Sequence, residues 1–162
     1  MADTSGSNFW GGTTVSTGEV IVEADLWFQE LNSYVIAVLG GLDPMDPTYL
    51  TLEFWSDGTM DAHYNDPLET ATGVATYTAQ SGHVISLHFD LNAPALDVYL
   101  DRQSILSVPL NVVNPAIGIV IFGCGADSEA EGSYHVDNIR VTDTFTSSLE
   151  TTWGRIKALH MN

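Results

Sequence analysis

Apolar and polar residues alternate along much of the chain between residues 18 and 142. The first clear stretch runs from Val20 to Phe28, where every second side chain is apolar. A period of two is typical of a β-strand with one buried face. Further strands are predicted at Tyr34–Leu39, Leu50–Phe54, Met60–Tyr64, Val74–Thr78, Val84–Asp90, Ala95–Leu100, Ile105–Val108, Ile117–Phe122 and Tyr134–Val141. Many short strands at this spacing predict an all-β sandwich or barrel.

Turn-forming residues separate these strands. Ser56-Asp57-Gly58 is a hairpin signal, and Asn65-Asp66-Pro67 ends the return strand. No internal repeat or domain boundary interrupts residues 18–142, which we interpret as one sandwich domain. Residues 1–17 are rich in Ser, Thr and Gly and form an N-terminal extension in this interpretation. Residues 143–162 form a C-terminal spacer and a short amphipathic tail.

The charge balance narrows the choice of partners. The chain of 162 residues has four basic and 21 acidic residues, a formal net charge of −17. Nucleic acid and anionic lipid would repel such a chain, so we expect neither as a partner. Acidic surfaces favour solubility, and carboxylate oxygens are also the ligands that calcium prefers.

The sequence also bears on location. No apolar run reaches the length that crosses a bilayer, so we expect no membrane insertion. The first residues lack the basic and apolar segments of a signal peptide. We expect an extracellular or cell-surface protein whose signal peptide has been removed, with a cytoplasmic protein as the alternative.

Three stretches carry a resemblance to a known family. They are Phe54–Met60 (FWSDGTM), Leu96–Arg102 (LDVYLDR) and Tyr134–Thr142 (YHVDNIRVT). The chain resembles the laminin-G-like, concanavalin-A-like jelly rolls of bacterial secreted and cell-surface proteins. The resemblance covers residues 18–142, with Arg102 where the family hairpin often has Gly. It implies an antiparallel two-sheet jelly-roll sandwich.

The closing strand contains a change of phase. Tyr134 and Val136 are two residues apart, but the next apolar residues are Ile139 and Val141. One extra residue at this point predicts a β-bulge, which re-aims a side chain.

The resemblance also implies a calcium site, because the matching Asp of related jelly rolls binds a structural calcium. That residue is Asp137 here, and Glu23 or Asp25 of the first strand would complete the site. The alternative is that Asp137 accepts backbone hydrogen bonds and holds no metal. Asp43 and Asp46 share a proline-stiffened loop and are further candidate ligands, with loop capping as the alternative.

Catalytic motifs are missing from the sequence. Glycoside hydrolysis needs a positioned pair of carboxylates, and the jelly-roll glucanases supply theirs as Glu-x-Asp-x-x-Glu. Glu23-Ala-Asp25 contains the first two acids, but Phe28 occupies the third position. There is also no nucleophile elbow. We therefore expect a protein that is not an enzyme.

Both termini contain large apolar residues that would not stay in water together. Phe9 and Trp10 lie in the N-terminal extension. The tail contains Trp153, Ile156, Leu159, Arg155 and Lys157. Its two basic residues would favour an acidic neighbouring surface. We expect a non-catalytic structural protein that assembles with copies of itself into a filament or surface layer, with packing of the tail on its own domain as the alternative.

A carbohydrate-binding module or an adhesion domain is the alternative function. Sugar sites need exposed aromatic rings beside polar groups. Trp27, Trp55 and Tyr99 are the candidates for such a site, with ordinary packing as the alternative for each ring.

Overall fold

A computed structural model describes residues 8–41, 47–65, 67–112, 115–124 and 134–143, with side chains from residue 14 onward except at residue 124. This part of the chain contains β-strands and no helix. The strands are β1 (Asn8–Val15), β2 (Glu19–Phe28), β3 (Tyr34–Leu39), β4 (Thr48–Phe54), β5 (Thr59–Tyr64), β6 (Glu69–Thr76), β7 (Ser81–Asp90), β8 (Ala95–Leu100), β9 (Gln103–Pro109), β10 (Ile117–Cys124) and β11 (Tyr134–Asp143).

The strands form two antiparallel sheets. The six-stranded sheet has the order β1-β10-β3-β4-β5-β6, and the five-stranded sheet has the order β11-β2-β7-β8-β9. The predicted all-β, two-sheet antiparallel jelly-roll sandwich is therefore confirmed.

Alternation along each strand explains where the core lies. On β2, the inward side chains from Val20 to Phe28 are at most 1% exposed, and the intervening residues face outward. Inward residues of both sheets meet in one apolar layer. At one end of this layer, the Phe28 ring stacks on Tyr134 and contacts Phe54 and Tyr77. This aromatic cluster joins strands of both sheets.

The N-terminal segment contributes to the six-stranded sheet. The β1 backbone pairs with β10 of the same chain, from Asn8 opposite Phe122 to Val15 opposite Ile117. In the predicted N-terminal extension, β1 therefore covers the edge that β10 would otherwise expose.

The sixth strand differs from its predicted bounds. We expected Val74–Thr78, but β6 spans Glu69–Thr76 and pairs with β5 as an edge strand. Its register shifts between the partners of Met60 and Ala62, and Gly73 adopts a positive φ of 63° at the irregularity. Side-chain alternation is lost there, so the sequence pattern alone could not locate the strand.

The predicted bulge in β11 is confirmed. Asp137 pairs with Asp25 and Arg140 pairs with Glu23, so two residues of β11 lie opposite one residue of β2. Asn138 takes up the irregularity with a φ of 50°. Within the described residues, no helix is long and apolar enough to cross a membrane.

Candidate functional site

The outward side of β4, β5 and β6 contains a connected group of polar side chains and one indole. We call it the β4–β6 face, made of Glu53, Trp55, Asp61, His63 and Thr70. It forms because the inward residues of β4 and β5 fill the core, so the intervening side chains point to the other side. The hairpin turn at Ser56–Gly58 then sets the register of the two strands.

This register places two carboxylates opposite each other. Glu53 of β4 pairs directly with Asp61 of β5. Like charges at directly opposed positions destabilise a sheet. Hydrogen bonds from neighbouring donors to each carboxylate offset this repulsion.

His63 connects Glu53 to the edge strand. Its Nε2 lies 3.0 Å from Glu53 Oε2, and its Nδ1 lies 2.9 Å from Thr70 Oγ1. The pair is an ion pair when the imidazole is protonated. Both side chains remain partly exposed, at 23% for His63 and 35% for Glu53. The three side chains therefore form a fixed polar row that water or a ligand can reach.

Asp61 is held by two donors. The Trp55 indole Nε1 donates to Asp61 Oδ2 at 3.0 Å, and the Gly73 backbone N–H donates to Oδ1 at 2.7 Å. A side chain at Gly73 would meet nothing within 4 Å of its Cβ, so the space beside this glycine is open. The Trp55 bond fixes the orientation of a partly buried ring next to that space.

A buried tyrosine stabilises the hairpin from the core side of the sheet. The Tyr77 hydroxyl lies 2.8 Å from the Trp55 carbonyl and 2.7 Å from the Asn32 carbonyl, and it accepts a bond from the Asn32 N–H at 3.1 Å. Burial raises the pKa of the Tyr77 phenol above its usual value. The neutral phenol thus links the β2–β3 loop to the strand end that presents Trp55.

The turn itself is closed by Asp57. Its Oδ1 accepts hydrogen bonds from the Thr59 hydroxyl at 2.6 Å and the Thr59 N–H at 2.9 Å. These bonds lower the pKa of the Asp57 carboxyl. The turn is therefore ordered by its own side chains, as expected for an Asp-Gly hairpin.

The candidate aromatic residues lie on different sheets. Trp55 belongs to the β4–β6 face, whereas Trp27 and Tyr99 lie on the outward side of the five-stranded sheet. Trp27 is 46% exposed. Tyr99 is partly buried, with its ring centroid 4.9 Å from that of His88. The three rings therefore do not form one site.

Three of the candidate calcium ligands are neighbours. Asp137 and Asp25 face each other across β11 and β2, and Glu23 follows on the same side of β2. Asp137 Oδ1 accepts the Asn138 N–H at 2.8 Å, and Asp25 Oδ2 accepts the Asn138 side-chain amide at 2.6 Å. No three His, Cys, Asp or Glu side chains in the described residues cluster as a metal site. Asp43 and Asp46 lie outside the described residues.

The candidate assembly residues are not described at the level of side chains. Phe9 and Trp10 lie on β1, where the structure describes the backbone pairing with β10. Arg155, Lys157 and the apolar residues Trp153, Ile156 and Leu159 lie outside the described residues.

Sequence reasoning did not select Glu53, Asp61 or Thr70. Alternation and the hairpin signal were enough to place Glu53 opposite Asp61, because both follow from counting outward from Ser56–Gly58. The position of Thr70 depends on the irregular pairing of β6, which leaves no periodic signal.

Comparisons with known proteins agree on the fold. No protein-family model and no curated protein matches the chain. Solved structures with a similar fold include a sialidase, a lyase and an agglutinin. A sialidase shares 13% identity with a TM-score of 0.65, and the match covers 85% of this chain and 14% of the sialidase. An endo-β-1,4-glucuronan lyase from the fungus Trichoderma reesei shares 15% identity with a TM-score of 0.59, covering 83% and 71% of the two chains.

The third neighbour is CG-16, a homodimeric agglutinin from chicken liver. It shares 14% identity with a TM-score of 0.62, and the match covers 84% of this chain and 99% of the agglutinin. Identities this low establish a shared jelly-roll fold and leave activity open. The fold supports both enzymes and a protein named as an agglutinin, so function depends on the residues of the site.

Proposed function

We propose that this chain is a non-catalytic carbohydrate-binding domain, and that the β4–β6 face binds a neutral glycan. Two structural neighbours are named for carbohydrate substrates, a sialidase and a glucuronan lyase, and a third is named an agglutinin. These names motivate carbohydrate as the class of ligand, and the charges of the face favour a neutral one. The geometry of the face supports it independently.

The paired carboxylates Glu53 and Asp61 are the observation that carries the proposal. Charged acceptors form stronger hydrogen bonds with hydroxyl groups than neutral acceptors do. Two carboxylates side by side offer several acceptors to the vicinal hydroxyls of one sugar ring, and the imidazole of His63 holds Glu53 in place. A purely structural face would gain stability by separating the two charges.

The Trp55 ring supplies the apolar component. Aromatic rings bind through their large apolar surface while a polar atom stays hydrogen-bonded. The bond from the Trp55 indole to Asp61 fixes the ring beside the carboxylates. A fixed ring loses little conformational entropy when a ligand binds.

Charge selects a neutral ligand. Arg102 and Arg140 are the basic residues within the described part of the chain, and both belong to the five-stranded sheet or its turns. The β4–β6 face therefore has no Lys or Arg among described residues to neutralise an acidic sugar. The net charge of −17 adds a repulsive field.

The proposal is tested by affinity electrophoresis in gels cast with soluble galactan, mannan or β-glucan. We expect at least one of these neutral polysaccharides to retard the protein, and alginate to have no effect. In Glu53→Gln, the affinity should fall about tenfold, because one charged acceptor is lost.

Glu30→Gln is the matched control. Glu30 is exposed in the β2–β3 loop, and its substitution removes the same charge, so electrophoretic mobility changes equally in both variants. The proposal fails if no neutral polysaccharide retards the protein, or if Glu53→Gln and Glu30→Gln are retarded equally.

Two accompanying properties remain proposals. We propose an extracellular or cell-surface location, which is compatible with glycans as ligands. We also propose that calcium stabilises the β11 bulge through Asp137, with Asp25 or Glu23 and backbone carbonyls as further ligands.

A further inference from the structure

A second feature lies on the opposite side of the sandwich. Trp27 is 46% exposed although β2 lies within the five-stranded sheet, between β11 and β7. An aromatic side chain this exposed forgoes much of the free energy that burial of its apolar surface would supply.

The neighbouring strand leaves room for the indole to lie against the sheet. Trp27 pairs with Gly82 of β7, and a Cβ at Gly82 would lie 3.7 Å from Trp27 Cε3. The indole thus leans over a residue without a side chain. On the other side, Trp27 pairs with exposed His135 of β11. The result is an open aromatic platform with a polar group at its margin.

Hydrogen-bonding groups follow in the next row of the sheet. Asp25 lies two residues before Trp27 on the same face, about 7 Å along the strand. It faces Asp137, and the amide of Asn138 holds one oxygen of Asp25. The β11 bulge places Asn138 in the left-handed region, which brings its amide onto this face. One apolar ring and a carboxylate–amide pair are thereby neighbours.

We infer that Trp27, His135, Asp25, Asp137 and Asn138 form a second glycan-binding site, here called the β2–β11 face. A sugar ring would stack on the indole while its hydroxyl groups contact the carboxylate–amide pair. The site is independent of the β4–β6 face, since the two lie on opposite sheets. If both sites operate, one chain binds two glycans.

The features of the surface favour a sugar over a protein partner. In the part of the chain that the structure describes, the exposed large apolar side chains of this surface are Trp27 and Val84, which is 41% exposed. A stable protein interface buries about 800 Å² on each partner and has an apolar centre. Two side chains do not supply such a centre. The adjacent carboxylates again favour a neutral ligand over an acidic one.

Indole N–H signals in ¹⁵N NMR spectra of the full chain test the inference. The chain has four tryptophans, and the signal missing in Trp27→Phe is assigned to Trp27. The ligands are neutral methyl hexopyranosides and their soluble oligomers, with methyl glucuronide as the acidic counterpart. We expect at least one neutral ligand to shift the Trp27 signal saturably, and Trp27→Ala to weaken this binding about tenfold.

Two variants separate the two sites. Glu53→Gln should leave the Trp27 shift unchanged and weaken the shift of Trp55. Leu68→Ala is the control for an exposed apolar side chain, since Leu68 is 67% exposed and lies outside both faces. It should change neither titration.

The outcomes test the β4–β6 site and the second site separately. The second site is overturned if no neutral ligand shifts the Trp27 signal, or if Glu53→Gln abolishes that shift. It is also overturned if the glucuronide shifts the signal more strongly than the neutral ligands do. A Trp55 signal that stays still while Trp27 responds overturns the β4–β6 site and leaves the second site standing. If neither signal moves, both fail.

Discussion

Tyr77 shows how one hydroxyl group organises a loop and a site together. Its ring is 2% exposed within the aromatic cluster, while its hydroxyl bonds to backbone groups of Asn32 and Trp55. Without the Tyr77 hydroxyl, the part-buried Asn32 carbonyl would lose a hydrogen-bond donor and the Asn32 N–H an acceptor, which costs free energy. The apolar packing of the Tyr77 ring and the hydrogen bonds of its hydroxyl therefore both stabilise the end of β4 that precedes Trp55.

Tyr77→Phe tests this role. We expect the free energy of unfolding to fall by about 1–2 kcal/mol in urea denaturation at pH 7. The raised pKa of Tyr77 makes its neutral form a source of stability that is fully present below pH 10, the ordinary tyrosine value, and lost as pH rises through the folded-state pKa. The difference between wild type and variant should therefore shrink above pH 10.

Tyr99→Phe is the control, because the Tyr99 hydroxyl has no hydrogen bond within the described residues and its ring contact with His88 would survive. Equal stability losses in the two variants, or a difference between wild type and Tyr77→Phe that grows in alkali, would contradict the assigned role.

Individual residues also show what the sequence could predict. The outward position of Trp27 follows from alternation, and its 46% exposure agrees with it. Arg102 in place of a hairpin Gly was visible as a departure, and the structure gives it a positive φ of 68°. The bond between Trp55 and Asp61 was not predictable, because it depends on the side-chain conformation of the indole, which alternation and the hairpin signal do not specify.

Among the elements, central strands were more predictable than edge strands. β2 and β8 alternate because each has one face in the core. β6 is an edge strand with an irregular register, so backbone pairing sets its course. The Thr70 end of the β4–β6 face was missed for this reason.

Close contact between strand ends gives a prediction at β10. A Cβ on buried Gly118 would overlap the backbone carbonyl of Gly41, which cannot give way as a flexible side chain would. Gly118→Ala should therefore lower the free energy of unfolding by about 3 kcal/mol. Gly123→Ala on the same strand is the control, since its Cβ would lie 3.5 Å from Val35 Cγ1, an ordinary contact. Urea denaturation that finds the two variants equally stable would contradict the assigned contact.

The proposed calcium site lies at the bulge of β11. If Asp137 binds the ion, added calcium should raise the melting temperature of the wild type, because a ligand that binds only the folded state stabilises it. Asp137→Ala should abolish that increase, and Asp97→Ala on β8 should retain it. A wild-type melting temperature that responds to neither calcium nor chelator rules the site out.

At the scale of the whole molecule, assembly remains a prediction. The N-terminal strand pairs with β10 of its own sheet, and the tail over residues 143–162 is the second proposed contact. We predict that the full chain forms a polymer, and that a chain ending at residue 143 has a smaller mass by light scattering. A full-length monomer at high concentration with calcium present would contradict self-assembly.

The whole molecule is negatively charged, and it presents paired carboxylates on the β4–β6 face. We propose that a neutral glycan binds to this face. The Gly73 amide reports on this directly, because it donates to Asp61 Oδ1 and lies beside open space. In a ¹⁵N NMR titration with oligosaccharides of galactan, mannan or β-glucan, the Gly73 amide and Trp55 indole signals should move together with one saturation curve. If both stay fixed at saturating concentrations of all three, the β4–β6 face is not a glycan site.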